Sequence, residues 1–518
     1  MPAPHELAHG ANGVPTILHH HLTFRPFLFT GPDFPPCDFA DPAAARTLFG
    51  DYSLKTTFYD CNFTPVTRAA KPGRYGAVIE IHHATRVSRR FITLSRQGPH
   101  TLPPSILTAI PEFFDPFPGR FFPILPPDAV EAIHQAGLHD LAALHSQNKP
   151  IPTDSLIELD KQWWIHFKRR FYNYDKLFPT PPHPFQFSRP ATTPISILQS
   201  GSLAAADLKP NAHEIIDTAA QKWLNATNNV GFALCVARHN TLAICKAWGN
   251  ISQGPNQGQP YTPDTIAPMA STTKFLGAIL FLQFVDQGFA TYDEPAARYL
   301  PALKNLPHEN PPTIRDLYTH TAGLFGHWGD AQNDMEEFVA DLYPTTGHRS
   351  PHKYHGVGHA LGGKIMEAIA NQSIAQLYKR CLIDPLHLTH STFNRTSYGT
   401  FSSATDLIRI GQLLLNRGTY GPHLFFTPKT LTGMLPIPGQ DRFEPESHIR
   451  WGVGIKIQDN DGLSPQAFAG SGATGSFLSI DPTRDLTIAM TRFEEGSDYP
   501  IFLKHKHDFI QAIKDTLI

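Results

Sequence analysis

Hydrophobic and polar positions alternate in three segments near the start of the chain, with the period of a half-buried strand. The segments are residues 52–59, 76–81 and 90–94, and the turn residues Pro72 and Gly73 precede the second of them. Three such strands can form a meander. We therefore predict that residues 1–125 form a β-rich N-terminal domain.

The hydrophobic period becomes that of a helix after this domain. Asp128 is a candidate N-cap, and a capping-box pattern at Ser155 starts a longer helix whose aromatic stripe ends at Tyr174. Basic residues interrupt the stripe, but the chain as a whole is not basic, so we interpret it as a docking face and not as a nucleic-acid surface. Prolines within residues 179–194 predict a stiff, extended linker. Residues 126–205 are thus a helical segment and a linker.

Residues 206–518 contain segments with the strand period and segments with the helix period, and we predict that they form a second domain. The predicted elements are a helix over 213–224, a hairpin of 231–238 and 242–248 turning at His239 and Asn240, a helix from Ser271 to Gly288, strands over 451–457, 475–480 and 486–491, and a helix over 502–518. A largely helical region separates the first strands from the last. This order predicts an α+β fold in which helices flank an antiparallel sheet and a helical lobe is inserted into it.

Charge and hydropathy exclude several classes of protein. The 43 Lys and Arg residues nearly balance the 45 Asp and Glu residues, so no charged field favours nucleic acid or an anionic membrane. The N-terminus lacks the basic region of a signal peptide, and no apolar run reaches the length of a membrane span. We therefore expect a cytoplasmic protein, and the sequence indicates no oligomeric state.

The five cysteines are scattered and lack any C-x-x-C pair. This spacing argues against both a disulfide framework and a zinc site, and it favours free thiols in a reducing compartment. The neighbours His82 and His83 have no partner ligands at useful spacing, and His505 and His507 diverge on a helix. We therefore expect no metal site.

Candidate chemistry is concentrated in residues 269–274, which read MASTTK and precede a long apolar run. On a helix, Ser271 and Lys274 lie one turn apart on the same face, so their side chains can meet. Burial disfavours the charged form of a lysine and lowers its pKa, and a neutral amine can accept the serine proton. About one S-x-x-K is expected by chance in a chain of this length, so the pattern needs further support.

That support comes from a series of segments in a characteristic order. From about Asn211 to the C-terminus the chain resembles the serine β-lactamase-like hydrolases, which include class C β-lactamases, DD-peptidases and related esterases. The segments that carry the resemblance are residues 271–274, 283–288, 293–295, 299–301, 313–324, 354–363, 402–407 and 470–476. It implies an acyl-enzyme on Ser271, with Lys274 as its hydrogen-bonded partner and Tyr354 sharing the proton transfer.

The resemblance also assigns the remaining parts of a site. It implies that the backbone N–H groups of Ser271 and Ala473 bind the developing oxyanion, and Gly472 permits close approach of the strand to the substrate. It implies a structural position, and not a direct catalytic role, for His320. No metal or organic cofactor is required.

Two positions depart from the family pattern. The family's second motif is Y-x-N, but its third position here is Gly356. The third motif usually begins with Lys or His, but here it reads Gly470, Ser471, Gly472. A cation that could hold a substrate carboxylate is therefore missing.

These features lead to a functional hypothesis with alternatives. We expect a serine hydrolase, a carboxylesterase or amidase, that acts on a small uncharged ester or amide. A β-lactamase or D-Ala-D-Ala peptidase is the alternative among enzymes, and acyl transfer to another acceptor uses the same intermediate. The losses at Gly356 and Gly470 leave open a non-catalytic binding protein on the same fold.

Overall fold

A computed structural model covers the whole chain. The residues it describes are 52–59, 64–66, 73–83, 86–96, 165, 169, 174–177, 183–305, 311–324, 352, 354–437, 443–444, 449–458, 463–492 and 499–518. The helix predicted from Asp128 lies outside these residues. Most of the helix predicted from Ser155 does too, and the structure describes only its helical positions 165, 169 and 174.

An antiparallel sheet of four strands forms near the start of the chain. Its strands are β1 (Tyr52–Tyr59), β2 (Pro65–Val66), β3 (Gly73–His83) and β4 (Arg86–Arg96), in the spatial order β2-β1-β3-β4. Three of the strands contain the segments predicted from alternation. The order β1-β3-β4 is that of a meander.

The main sheet has nine strands, in the spatial order β12-β13-β14-β15-β16-β17-β7-β8-β6. All neighbours are antiparallel except β6 and β8. The remaining strands of the described chain are β5 (Arg189–Ile195), β6 (Gln199–Ser200), β7 (Phe232–Arg238), β8 (Thr241–Trp248), β9 (Ala267–Pro268), β10 (Phe401–Ser402), β11 (Thr419–Leu424), β12 (Phe443–Glu444), β13 (Ile449–Trp451), β14 (Lys456–Gln458), β15 (Phe468–Ser471), β16 (Phe477–Asp481) and β17 (Leu486–Arg492).

The described chain contains ten α-helices, some of which cover the two faces of this sheet. They are α1 (Tyr174–Leu177), α2 (Ala212–Ala226), α3 (Thr272–Asp286), α4 (Ile314–Tyr318), α5 (Val357–Ala370), α6 (Ile374–Tyr378), α7 (Asp384–Leu386), α8 (Ala404–Leu415), α9 (Pro428–Met434) and α10 (Tyr499–Thr516). Helices α2 and α10 pack on one face, and α3 and α8 pack on the other. None of the helices within the described ranges has both the length and the apolar composition that a membrane span requires. The predicted α+β fold is confirmed.

The hairpin of β7 and β8 turns where the sequence predicts. His239 and Asn240 both have a positive φ, 53° and 58°, as a two-residue type I′ turn requires. The register of this hairpin places Cys235 directly opposite Cys245, and the structure joins them by a disulfide. The expectation of free thiols is therefore wrong for this pair, because spacing along the chain did not reveal the cross-strand register.

Residues 451–457 do not form the single strand that was predicted. The chain turns through Gly452, Val453 and Gly454 and returns as β14, which pairs with β13. Gly454 has a φ of 69°, which favours glycine. A Cβ at this position would lie 2.4 Å from the Cβ of Ala278 on α3, so the turn packs directly on that helix.

The end of the predicted linker is built into the second domain. Strand β5 pairs with β11, and Arg189 forms a 2.7 Å ion pair with buried Asp286 at the end of α3. Gln186 and Gln287 exchange two hydrogen bonds of 2.8 and 3.0 Å. The extended backbone was predicted, but these long-range partners could not be read from the prolines.

Candidate active site

The turn that precedes α3 presents Ser271 at the start of the helix. A segment distant in sequence holds this turn in place, because the Met269 N–H donates a hydrogen bond of 2.9 Å to the carbonyl of Thr400. Ala270, the residue before the serine, has a φ of 43°, which is costly for any residue with a Cβ. Such strain persists only where surrounding contacts impose it, and it is concentrated at functional sites.

Lys274 lies one turn into α3 and is only 3% exposed. Its Nζ donates to Ser271 Oγ over 3.0 Å and to the carbonyl of Ser397 over 2.8 Å. Burial lowers the pKa of Lys274 to about 7. A large fraction of the amine is therefore neutral at physiological pH and able to accept a proton from Ser271. The predicted contact between the two side chains is present.

Tyr354 lies next to this pair. The centre of its ring is 5.2 Å from Lys274 Nζ. The structure thus brings Ser271, Lys274 and Tyr354 together from the start of α3 and from the segment before α5. Gly356, two residues after Tyr354, is buried at the N-terminal end of α5. No side chain is available there to take the place of the family's asparagine.

The end of β15 runs beside the serine turn. A Cβ on Gly472 would lie 2.2 Å from the carbonyl oxygen of Met269, so only glycine allows this approach. Ser471, the last residue of β15, is partly exposed, and Ala473 is exposed in the turn that follows. Among the described residues, neither the Ser271 N–H nor the Ala473 N–H donates to a protein acceptor. Both amides are thus available to a bound oxyanion.

Gly470 lies on the face of β15 that packs against α3. A Cβ there would be 2.6 Å from the Cβ of Phe275, the residue after Lys274. A lysine or histidine, as the family pattern has at this position, does not fit in this packing. The close packing of α3 against β15 therefore leaves no space for a cationic side chain at this position, where the sequence has none.

Rings from two distant segments pack against Tyr354, and a third ring, that of His359, packs against one of them. The ring centre of His320 is 4.4 Å from that of Tyr354, and the ring centre of Trp451 is 5.4 Å from it. His359 on α5 lies 5.1 Å from His320. No group of three or more His, Cys, Asp or Glu side chains in the described chain is arranged to hold a metal ion.

Sequence reasoning missed three contributors to this site. The Ser397 carbonyl is a backbone group and has no sequence signal. Trp451 is the last residue of β13, and its contact with Tyr354 was not predicted, because the strand was expected to continue through the turn at Gly452 and Gly454. His359 lies within residues 354–363, one of the segments that carry the family resemblance, but its place in the site was not predicted. Burial and the nearby charge of Lys274 hold its pKa well below 6.5.

Comparisons with known proteins match the region that contains these residues. A family model described as Beta-lactamase matches residues 216–498, more than half of the 518-residue chain. A protein of Escherichia coli (strain K12) with the provisional name D-alanyl-D-alanine carboxypeptidase is 23% identical over 357 residues, which is 52% of this chain and 80% of that protein. Beta-lactamase-like protein 2 of Dictyostelium discoideum is 23% identical over 227 residues, 40% of each chain.

Solved structures share the fold. A penicillin-binding protein homologue from Caulobacter crescentus superposes with a TM-score of 0.52 at 19% identity, over 60% of this chain and 99% of that one. A mutant of simvastatin synthase from Aspergillus terreus superposes with a TM-score of 0.50 at 20% identity, over 60% and 96% of the two chains. The range of the family model, residues 216–498, contains eight of the nine strands of the main sheet together with α3 and α8.

Proposed function

The chain belongs to the β-lactamase family, and from that premise we propose that it hydrolyses a small, uncharged ester or amide through an acyl-enzyme on Ser271. The observation that carries the proposal is the 3.0 Å contact between Ser271 Oγ and the buried amine of Lys274. A neutral amine at that distance accepts the hydroxyl proton as the serine oxygen attacks the substrate carbonyl. Water then cleaves the acyl-enzyme and restores the serine.

Tyr354 and two backbone amides complete the proposed centre. Tyr354 shares the proton transfer with Lys274 and returns a proton to the leaving group, a role supported by its position 5.2 Å from Lys274 Nζ. The N–H groups of Ser271 and Ala473 stabilise the oxyanion of the tetrahedral intermediate. Donors that are already oriented in this way contribute on the order of 3 kcal/mol each to transition-state stabilisation.

The substrate is proposed to lack a carboxylate next to the reacting carbonyl. Gly470 replaces the cation that would bind such a group, and it leaves no room for a longer side chain beside Phe275. A carboxylate that loses its water shell without a partner is bound poorly. An uncharged ester or amide carries no such cost.

Substitution of Gly470 by alanine tests the packing on which this argument depends. We expect the free energy of unfolding to fall by about 1–3 kcal/mol, because the added Cβ meets a Cβ of α3 and not the free end of a side chain. Denaturant titration measures this change. Gly433→Ala on α9 is the control, since its Cβ would meet two ring atoms of Tyr292, Cε2 at 3.2 Å and Cδ2 at 3.7 Å, and no atom nearer than these. Equal stability of Gly470→Ala and the wild type would contradict the packing.

A substrate panel tests the function itself. We expect turnover of p-nitrophenyl acetate and butyrate and a transient acyl adduct by mass spectrometry. We expect a chromogenic cephalosporin to be hydrolysed at least about 10²-fold less efficiently, as judged by kcat/KM, since its carboxylate has no partner. Preferential cephalosporin turnover would instead favour the β-lactamase or D-Ala-D-Ala peptidase alternative, which the name of the Escherichia coli relative suggests.

A non-catalytic binding protein on this fold is the alternative outside the enzymes. It is favoured by the glycines at positions 356 and 470 and by the long N-terminal region before the second domain. Absence of both turnover and adduct with every member of the panel would support it. The lowered pKa of Lys274 argues against it, because keeping a buried lysine beside a serine costs stability and has no purpose in a binding surface.

A further inference from the structure

We propose that His320 is a positioning residue that holds the Tyr354 side chain beside Lys274. It does so in place of the side chains that the family pattern has at positions 356 and 470. This inference rests on the proposed function and adds a residue to it. The imidazole contacts two consecutive residues at once. Its ring lies 4.4 Å from the ring of Tyr354, and its Nδ1 accepts a hydrogen bond of 3.2 Å from the backbone N–H of His355.

The backbone of His320 is held in an unusual conformation. Its φ of 60° lies in the left-handed region, which costs about 1 kcal/mol for a residue with a side chain. A buried hydrogen-bond network around Asp316 imposes this conformation. Thr313 and Asp316 form a capping box, and the Thr321 N–H and hydroxyl donate to the carbonyl and carboxylate of Asp316 over 3.0 and 3.2 Å. The network fixes the direction in which the imidazole leaves the chain.

Neighbouring rings fix the imidazole itself. Trp451 packs edge-on at 4.8 Å, His359 lies at 5.1 Å and His352 at 5.6 Å. His320 is only 6% exposed, so its ring has little room to change rotamer. These contacts bring the segment after α4, helix α5 and the end of β13 together next to Tyr354. Tyr354 is therefore located by parts of the chain that are distant in sequence.

The charge state of His320 suits positioning better than acid–base chemistry. Burial first, and then the nearby His359, Lys274 and His352, hold its pKa well below 6.5. The ring is therefore neutral at assay pH, and because Nδ1 accepts the His355 bond, its proton lies on Nε2. A neutral ring adds no positive charge that would compete with protonation of Lys274.

The test compares two substitutions at His320, one that keeps a hydrogen-bond acceptor in the side chain and one that does not. In His320→Asn the amide oxygen can take the place of Nδ1, and asparagine tolerates the left-handed conformation. His320→Leu keeps side-chain volume but removes the acceptor. His387 is the matched control, because it is exposed and also left-handed, with a φ of 52°, and lies outside the ring cluster. The substitutions His387→Asn and His387→Leu reproduce the backbone effect alone.

Two readouts are measured on the full chain, after thermal melting has established that each variant is folded. One is the rate at which a fluorophosphonate labels Ser271 across pH 6–9, and the other is hydrogen exchange at the His355 amide. We expect His320→Leu to slow labelling about 10²-fold at every pH and to speed exchange, since small misplacements of a catalytic group have effects of this size. We expect His320→Asn to recover most of the wild-type labelling rate and most of the protection from exchange at His355. The two His387 variants should match the wild type in each measurement.

Two results would overturn the inference: wild-type labelling by folded His320→Leu, or unchanged exchange at His355 in that variant. Failure of the proposed function has a different signature. In that case the wild type is not labelled at Ser271 at all, while the exchange measurement still shows whether His320 holds the segment.

Discussion

Ser271→Ala is expected to abolish ester turnover, with kcat falling by roughly 10⁴- to 10⁶-fold, as when a covalent nucleophile is removed from other serine hydrolases. The acyl adduct should disappear from the mass spectrum as well. Stability should change little. The Ser271 side chain makes no capping hydrogen bond to α3, so loss of its hydroxyl leaves the helix terminus as it was.

A surface serine provides the control for this experiment. Ser202→Ala removes an exposed hydroxyl that accepts a hydrogen bond from the Ala205 N–H, and we expect full activity from this variant. Turnover by Ser271→Ala above one hundredth of the wild-type rate, with no contaminating hydrolase, would rule out an acyl-enzyme on Ser271. A stable adduct on another residue would have the same consequence.

Lys274→Met is expected to eliminate activity and, unlike most core substitutions, to stabilise the fold. The amine is the proposed proton acceptor, so kcat should fall by at least about 10³-fold. Burial keeps the amine neutral in the native state at a pH where the unfolded chain is protonated, which favours unfolding. Methionine fills similar volume without that penalty. We expect a gain of about 2 kcal/mol in the free energy of unfolding, after the loss of the bond to the Ser397 carbonyl.

The pH dependence of the free energy of unfolding distinguishes the cost of burying a neutral amine from a simple improvement in packing. Between pH 7 and 10.5 the unfolded state binds a proton at Lys274 that the native state does not, so wild-type stability rises with pH. The stability advantage of Lys274→Met should therefore shrink by about 1.4 kcal/mol per pH unit in this window. Urea titrations at several pH values measure it. An advantage that stays constant from pH 7 to 10 would contradict a lowered Lys274 pKa.

The same pKa predicts the acid limb of catalysis. In the wild type, kcat/KM for p-nitrophenyl esters should rise through about pH 7, because this parameter follows ionisation of the free enzyme.

Local patterns in the sequence determined much of the fold. Alternation located β1, β3 and β4, and two turn residues located the β7–β8 hairpin, because strand period and turn conformation depend on neighbours along the chain. Helical spacing placed Ser271 beside Lys274 for the same reason. The order of the later segments indicated the family, which the match over residues 216–498 confirms.

Only the tertiary structure decided the features that depend on distant partners. Burial of Lys274 lowers its pKa, the β7–β8 register joins Cys235 to Cys245, and Phe275 leaves no space at Gly470. Residues 320, 354 and 451 meet although more than 130 positions separate the first from the last. Periodicity encodes which face of an element is apolar, but not which element will cover it. The sequence therefore specified the candidate catalytic groups, and long-range packing decided their charge state and surroundings.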